Sequence, residues 1–158
     1  MPLCLVIESC LMACTTGTWC VDTGATNHVC NSLQGFQKIR RLTKVEIYLL
    51  MGDTSRVAAV AVGVVTLHFE GGKFFVLDDC LYVPGIRRNL VSVSCLSCNG
   101  YSLVFNKDSI FVKYNDDIIC RGMLSNNLYL LEPISLQINS HEINHKIKEI
   151  SPVNQTHL

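Results

Sequence analysis

The chain has 158 residues, which suits one domain with tails, and its 49% apolar content is enough to build a core. Its 13 Lys and Arg residues balance 13 Asp and Glu residues, so the formal net charge is zero. A domain whose main work is to hold nucleic acid usually needs a basic face, so this balance argues against direct nucleic-acid binding. The charge balance does not argue against a domain that acts on a protein substrate.

The first 14 residues are apolar, but they lack a basic start and Glu8 interrupts them. We therefore expect neither a signal peptide nor a membrane span there, and we predict that residues 1–18 form a junction ahead of the domain. The nine cysteines are then expected to be free thiols in a reducing cytosol or nucleus. Most of them should pack as small apolar residues.

The triplet Asp22-Thr23-Gly24 follows the apolar run Trp19-Cys20-Val21. An apolar strand can deliver such an aspartate to a dry site, where two neighbouring carboxylates share one proton. The same triplet is also ordinary turn chemistry, because Asp accepts backbone hydrogen bonds and Gly supplies positive φ. Only one such triplet occurs in the chain, so a paired site needs a second copy.

The middle of the chain is rich in Val, Ile, Leu and Phe, with turn residues at regular intervals. Polar and apolar residues alternate over 44–49, which is typical of a half-buried strand. Further strands are predicted over 56–69, with a bend at Gly63 or cover on both faces, and over 73–77 and 81–85. The turns between them are predicted at Gly52-Asp53, Gly71-Gly72 and Asp78-Asp79.

A short helix is predicted over about residues 89–98. Asn89 is a plausible N-cap, Leu90, Val93 and Leu96 recur at helical spacing, and Asn99-Gly100 supplies the stop. Four short strands at hairpin spacing are predicted after it: Tyr101–Phe105, 109–113, 117–120 and Leu128–Leu131. Residues 134–158 are mostly polar and are predicted to be a linker. The fold class is therefore all-β.

The run from Trp19 to Cys30 resembles the protease start of copia-type LTR retrotransposon Pol polyproteins, which typically read W-I-V-D-S-G-A-T-x-H. Further landmarks of that class follow in order: Leu50-Met51-Gly52-Asp53, Leu81-Tyr82-Val83-Pro84, Arg88-Asn89-Leu90-Val91-Ser92-Val93-Ser94, Gly100-Tyr101 and Leu128-Tyr129-Leu130-Leu131. Landmarks in the right order over roughly residues 19–132 are far more specific than the triplet alone.

This resemblance implies a small closed β-barrel of the retropepsin-like type over residues 19–133, with residues 134–158 leading toward an integrase region. It implies an aspartic endopeptidase that works as a homodimer and cuts its own polyprotein, without a metal or organic cofactor. Two aspartates would flank one water, so that one takes a proton from the water and the other protonates the scissile carbonyl. The expected location is the cytoplasm, in a virus-like particle, or the nucleus.

The resemblance also assigns roles to single residues. Asp22 matches the catalytic carboxylate, and Thr23 resembles the hydroxyl that hydrogen-bonds across the dimer. Gly24 matches the residue whose missing side chain allows close approach to the aspartate pair. Residues 89–92 resemble a strand behind the catalytic loop, and residues 100–105 resemble a strand that joins the dimer interface. The candidate flap over substrate is the hairpin between Met51 and Gly63.

Some positions depart from the family pattern. Residue 54 is Thr where Gly often follows Gly-Asp, and Cys20 replaces a branched aliphatic residue. A second interpretation therefore stands beside the first: a catalytically inactive β-barrel fragment of a transposon-derived polyprotein, with a structural or assembly role.

Other chemistry is less well supported. Cys95-x-x-Cys98 and His141-x-x-x-His145 have internal spacings that zinc accepts, but the 42 residues between the pairs far exceed the usual spacing. His28 is interpreted as a capping or packing histidine, because an aspartic mechanism has no role for it. Cys30 with His28 lacks the third, orienting group of a thiol protease.

Overall fold

A computed structural model describes residues 3–5, 17–43 and 47–134 of the chain. These residues form thirteen strands, one α-helix and a short 3₁₀ turn at Glu70–Gly72. The elements are β1 Leu3–Leu5, β2 Trp19–Asp22, β3 Val29–Cys30, β4 Phe36–Arg41, β5 Tyr48–Leu50, β6 Arg56–Ala58, β7 Ala61–His68, β8 Phe74–Tyr82, β9 Asn89–Ser92, α1 Val93–Cys98, β10 Tyr101–Phe105, β11 Ser109–Tyr114, β12 Asp117–Ser125 and β13 Leu128–Leu131.

Ten of the strands form one sheet in the order β10-β11-β12-β13-β2-β9-β3-β8-β7-β4, and β1, β5 and β6 form a second, small sheet. The large sheet has two halves that meet between β9 and β3. This junction has a single bridge pair, Val29 with Leu90. The half that ends at β10 is a meander of hairpins joined to β2, and the half that ends at β4 contains the long β7–β8 hairpin.

The closed barrel expected from the resemblance is corrected by this strand order. Among the described residues no ladder joins β10 to β4, so the sheet is open and these two strands are its edges. A physical reason lies in β4, whose exposed Lys38, Arg40 and Arg41 and whose register shift between Gln37 and Arg40 make it a poor partner for another strand.

The core consists of two apolar clusters on opposite sides of the central strands. Trp19 and Val21 belong to one cluster, and Cys20 belongs to the other. Successive side chains of a strand point to opposite faces, so β2 is buried on both faces. This double burial explains why the residues before Asp22 are an unbroken apolar run.

The predicted helix begins later than expected. It starts at Val93, and its N-cap is Ser92, whose Oγ accepts a hydrogen bond from the Cys95 N–H at 3.3 Å. Asn89 is not a cap, because residues 89–92 are buried as strand β9 between β2 and β3. The pairing energy of two neighbouring strands overrides the helical spacing of the side chains.

The predicted turn at Asp78-Asp79 is instead a bulge within one continuous strand, β8. Gly63 pairs with Cys80 and Val65 pairs with Leu77, so β8 carries an extra residue at this level. Asp79 adopts a φ of 51°, a left-handed conformation that Asp tolerates better than most residues. The strands predicted over 73–77 and 81–85 are therefore joined, whereas β10 and β13 have the predicted bounds.

Candidate active-site loop

Asp22 is the last residue of β2 and begins a tight loop. Asp22 is half-buried, and the residues Thr23 and Gly24 are exposed. The Gly24 N–H donates to Asp22 Oδ1 at 2.7 Å, and a Cβ at position 24 would lie 3.3 Å from the same oxygen. The three residues predicted for the site are thus held together in a turn whose second carboxylate oxygen stays available.

The loop is held from behind by β9. Strands β2 and β9 pair in parallel, with Asp22 opposite Ser92. The fully buried Ser92 Oγ donates to the Ala25 carbonyl at 2.6 Å and also caps α1. One hydroxyl therefore fixes both the far end of the Asp22 loop and the start of the helix. Strand β9 thus lies behind the loop, where the sequence predicted a strand.

His28 fixes Ser92 in turn. The Ser92 N–H donates to His28 Nδ1 at 2.9 Å, and the imidazole is 1% exposed. Burial lowers the pKa of His28 to about 4, so the ring is neutral at pH 7 and carries its proton on Nε2. Within the described ranges Nε2 has no hydrogen-bond partner. These contacts agree with the packing histidine expected from the sequence, and its partner is Ser92.

The cysteines near the loop offer little nucleophilic chemistry. Burial raises the pKa of Cys30 to about 11, so its thiol is protonated at neutral pH. Cys95 Sγ donates to the Thr26 carbonyl at 3.3 Å, and Cys98 is exposed rather than packed in the core. Across residues 17–43 and 47–134 no three His, Cys, Asp or Glu side chains gather as a metal site. His141 and His145 lie outside the described residues.

The candidate flap is a hairpin made by β5 and β6. Its turn is closed by hydrogen bonds from Met51 N–H to the Ser55 carbonyl and from Thr54 N–H to the Met51 carbonyl, both 2.9 Å. Thr54 has a φ of 68°, so the Thr that replaces the usual Gly occupies a left-handed position. Leu49 and Val57 place the hairpin on the apolar cluster that also contains Ala25, next to the Asp-Thr-Gly triplet.

The sequence alone did not reveal the parts that hold this loop. Ser92 lies 67 residues from Ala25 and 64 residues from His28. No local spacing connects such positions. The only available signal was the family landmark around residue 92, which predicted the strand but not its hydrogen bonds.

The sheet and this loop agree with what a comparison of the sequence finds. A profile of the Pol polyprotein β-barrel domain matches residues 19–101, which is 83 of the 158 residues. The chain belongs to this family of Pol polyprotein β-barrel domains.

A curated relative comes from tobacco. The chain is 27% identical over 141 residues to the retrovirus-related Pol polyprotein from transposon TNT 1-94 of Nicotiana tabacum, which covers 84% of this chain. The match takes in 10% of the relative, so the chain spans about a tenth of that polyprotein's length. No solved structure matches the chain. The helix of the described region has six residues and is too short to cross a membrane.

Proposed function

We propose that this chain is the aspartic endopeptidase region of a copia-type retrotransposon Pol polyprotein and that it hydrolyses peptide bonds of its own polyprotein. The observation that carries the proposal is the support of the Asp22 loop. A half-buried carboxylate stands at the end of a doubly buried strand, in register with Ser92, and Ser92 holds the loop from behind through Ala25.

In the proposed mechanism the Asp22 side chains of two copies flank one water. Two carboxylates at close range share one proton, because the repulsion between two negative charges disfavours ionisation of the second group. The ionised one takes a proton from the water, and the protonated one gives its proton to the scissile carbonyl. In this proposal the hydroxyl of the exposed Thr23 bonds to the other copy, and the missing side chain of Gly24 keeps a Cβ from lying 3.3 Å from Asp22 Oδ1.

The edge strand β10 offers a contact between copies that is separate from the pairing of the two Asp22 loops. The Asn106 N–H donates to the Ser109 carbonyl at 2.8 Å, which marks this pair as hydrogen-bonded. Pairs alternate along an antiparallel ladder, so Ser102 and Val104 turn their backbone groups toward β11. The backbone groups of Tyr101, Leu103 and Phe105 then point to the free edge.

The free edge of β10 can pair with the same edge of a second copy. If two copies pair antiparallel about a two-fold axis at Leu103, Tyr101 of each meets Phe105 of the other, and all three outward residues bond. The strand contains no charged residue, so identical copies meet without like charges opposed. We therefore propose β10 as a further contact between copies. Three strands lie between β10 and β2 in the sheet order, so this contact does not by itself bring two Asp22 side chains together.

A second candidate is a non-catalytic domain of the polyprotein. It is favoured by the completeness of the Asp22 turn within one chain, since the Gly24 N–H already satisfies one carboxylate oxygen. A loop of this kind is stable as a plain turn without a partner.

The decisive experiment compares Asp22→Asn with the native chain. Both are expressed within the polyprotein segment that flanks this region, and products are mapped by mass spectrometry. We expect the native protein to release fragments and Asp22→Asn to lose cleavage by at least about a hundredfold, since the mutation removes the base that activates water.

The matched control is Asp116→Asn. Asp116 is exposed at a turn with a φ of 63°, a conformation that Asn also tolerates, and it lies far from the loop in sequence. It should cleave as the native chain does. Equal cleavage by Asp22→Asn would refute the peptidase and leave the non-catalytic domain.

A further inference from the structure

Strands β10–β12 turn one face toward the buried core and the other face away from it. In β11, Ile110 and Val112 are fully buried in the core. Successive side chains of a strand alternate between the faces, so Phe111 and Lys113 point to the side away from the core. Arg121 of β12 lies opposite Phe111 in the ladder and shares this side. We call this side of the three strands the outer face.

The outer face is defined by six residues, each of them exposed or half-buried. They are Val104 of β10, Phe111 and Lys113 of β11, and Ile118, Arg121 and Met123 of β12. Val104 pairs with Phe111 in the β10–β11 ladder. Ile118 pairs with Lys113 in the β11–β12 ladder. Met123 follows Arg121 by two residues, and residues in these relations lie on the same face of a sheet.

The composition of the outer face is that of a surface that binds protein. Val104 is 40% exposed, Ile118 is 45% exposed and Met123 is 48% exposed, so the apolar members are open to solvent. Exposed apolar groups that lie together commonly mark an interaction site. Aromatic residues, Met and Arg are also the residue types enriched where proteins bind one another.

The two cations of the outer face lack a counter-charge. The Arg121 guanidinium lies over the Phe111 ring, with its Cζ 5.7 Å from the ring centroid. This stacking holds the guanidinium on the apolar surface and leaves N–H groups with which it can bind a carboxylate. Among residues 17–43 and 47–134, neither Arg121 nor Lys113 has an ion-pair partner. The outer face therefore presents positive charge within an apolar surface.

This charge distinguishes among the possible occupants of the outer face. A second copy that brought its own outer face would oppose like charges. A nucleic acid is held mainly through its phosphates and needs a broadly basic surface, whereas most residues of this face are apolar. A protein segment with an apolar stripe and carboxylates beside it matches both the apolar groups and the cations.

We propose that the outer face of β10–β12 binds an acidic amphipathic helix of a partner protein. Three neighbouring strands span about 10 Å, which is the diameter of a helix, and helices cover sheet faces with their apolar stripe. Lys113 and Arg121 stand on adjacent strands, offset by two residues, which is about 8 Å. Carboxylates four residues apart on a helix are separated by about 6 Å, so their flexible side chains reach both cations.

This docking site does not depend on catalysis. Strand β13 lies between β12 and β2 in the sheet order, so the outer face is separate from the Asp22 loop. The helix contacts side chains and leaves the backbone edge of β10 free. The Asp22→Asn variant should therefore bind the helix as the native chain does, and loss of cleavage is measured independently of loss of docking.

The test uses a designed helix, fluorescein-AALEQLEAALEQLEA-amide, which has a Leu stripe and Glu residues along one flank of it. Fluorescence anisotropy of the peptide is followed at low salt as the full chain is added. We expect saturation with a dissociation constant on the order of 100 µM, because the apolar and charged contacts must offset the cost of ordering the helix.

Two matched peptides separate charge from apolar contact. The peptide AALKQLKAALKQLKA keeps the Leu stripe and reverses the charge. The peptide AAQEQQEAAQEQQEA keeps the charge and removes the stripe. With the same label, each should bind at least about tenfold more weakly than the parent peptide.

A protein variant reverses the charge of the outer face. Lys113→Glu with Arg121→Glu should weaken binding of the acidic helix at least about tenfold and should bind the lysine helix instead. Only a folded protein can gain the second helix, so this result cannot come from unfolding. Arg41→Glu makes the same charge change at an exposed position of β4, at the other edge of the sheet, and should bind as the native chain does.

A milder variant serves if the charge-reversed chain does not fold. Met123→Gln replaces an exposed apolar side chain by a polar one of similar length and should weaken the parent peptide about threefold. The same change at Phe74, which is exposed on β8 in the other half, should leave binding unchanged. Native affinity in a folded Met123→Gln chain would contradict docking on this face.

Nucleic acid is tested in the same assay with labelled oligothymidylate of about 20 nucleotides. The oligonucleotide should bind at least about tenfold more weakly than the acidic helix. The proposal would be overturned if the acidic helix did not saturate up to about 1 mM, if the lysine helix bound the native chain equally well, or if the oligonucleotide bound more tightly than the acidic helix.

Discussion

The two edges of the ten-stranded sheet are built in opposite ways. Strand β4 is bulged, carries three exposed cations, and holds Lys38 at a φ of 48°. Strand β10 pairs regularly with β11 over five residues, has no bulge and no charge, and exposes Val104 and Phe105. Charges and bulges are the usual protection of an edge against pairing. This contrast between the edges is what supports the proposed association of copies through β10.

Among the residues that the structure describes, six of the eight exposed large apolar residues belong to the half that ends at β10, which strengthens this contrast. They are Val104, Phe105, Tyr114, Ile118, Met123 and Leu124. Exposed apolar groups concentrated in one region commonly mark a contact surface. The Asp22 loop lies in the same half, close to the junction.

The largest effects should come from overpacking the two halves. A Cβ on Gly122 of β12 would lie 2.6 Å from the Leu130 carbonyl oxygen and 2.7 Å from Ile110 Cγ2. A Cβ on Gly63 of β7 would lie 2.9 Å from the Gln37 carbonyl oxygen. We expect Gly122→Ala to lower the free energy of unfolding by about 3 kcal/mol and Gly63→Ala by about 2 kcal/mol.

Urea unfolding measures both changes, with the exposed Ser102→Ala as a control that should stay within about 0.5 kcal/mol of the native chain. If the Gly122→Ala variant were as stable as the native protein, the residues around Gly122 in the β10 half would be able to shift at little cost. Its packing would then be looser than that of the β4 half.

The next effect concerns the junction between the halves. Val29 with Leu90 is its one bridge pair, and the Ser92 N–H to His28 Nδ1 bond reinforces it. The folded pKa of His28 is about 4 against 6.5 for the free side chain, so between these values the unfolded state binds more protons. Stability is therefore unaffected above pH 6.5 and falls as the pH drops toward 4. Between pH 7 and 5 this histidine should cost about 2 kcal/mol.

His28→Asn keeps an acceptor near the Ser92 N–H but does not titrate. Urea unfolding at pH 7 and pH 5 should show a smaller loss in the variant than in the native chain, by about 2 kcal/mol. The smaller side chain leaves space, so we expect the variant to be less stable at both pH values. Only the difference between the two pH values tests the junction. If the native chain and the variant lost the same unfolding free energy between pH 7 and pH 5, His28 would not contribute to the pH dependence of the junction.

The smallest effect tests the edges themselves. Ser102→Asp with Val104→Asp puts carboxylates opposite each other across the proposed β10 pairing, since residues 102 and 104 of two copies face one another. Both side chains are exposed, so the fold should persist. We expect the dimer dissociation constant, measured by sedimentation velocity, to rise about tenfold.

The corresponding change on β4, Gln37→Asp with Arg41→Asp, should leave the dimer unchanged. Mixing the acidic β10 variant with Ser102→Lys, Val104→Lys chains should restore association, because opposite charges then face each other. A native chain that stays monomeric at about 100 µM, or a β4 variant that dissociates as readily, would contradict the contrast between the edges.

The sequence was informative wherever the signal was local. The bounds of β10 and β13, the hairpin turn after β7 and the turn between β5 and β6 followed from alternation and turn residues. The three predicted site residues also form one loop, although their chemistry remains a proposal. The division into residues 1–18, 19–133 and 134–158 likewise remains a prediction.

What the sequence did not reveal depends on contacts between distant residues. Leu90, Val93 and Leu96 have helical spacing, yet pairing with β2 and β3 makes Leu90 part of a strand. The charges and the bulge of β4 leave the sheet open, but the sequence does not show that β4 is an edge strand, so their effect on closure could not be predicted.

The bulge at Asp78-Asp79 has a consequence for how this domain tolerates change in length. In a strand every second side chain faces the core, and here one surplus residue keeps Phe75 and Leu77 inside on one side of the bulge and Cys80 inside on the other. Deleting one aspartate would restore the regular alternation and leave Phe75, Leu77 and Cys80 on the same face. The surplus residue therefore increases the local twist of the hairpin without changing which side chains face the core, and the strand can lose it without a change of register.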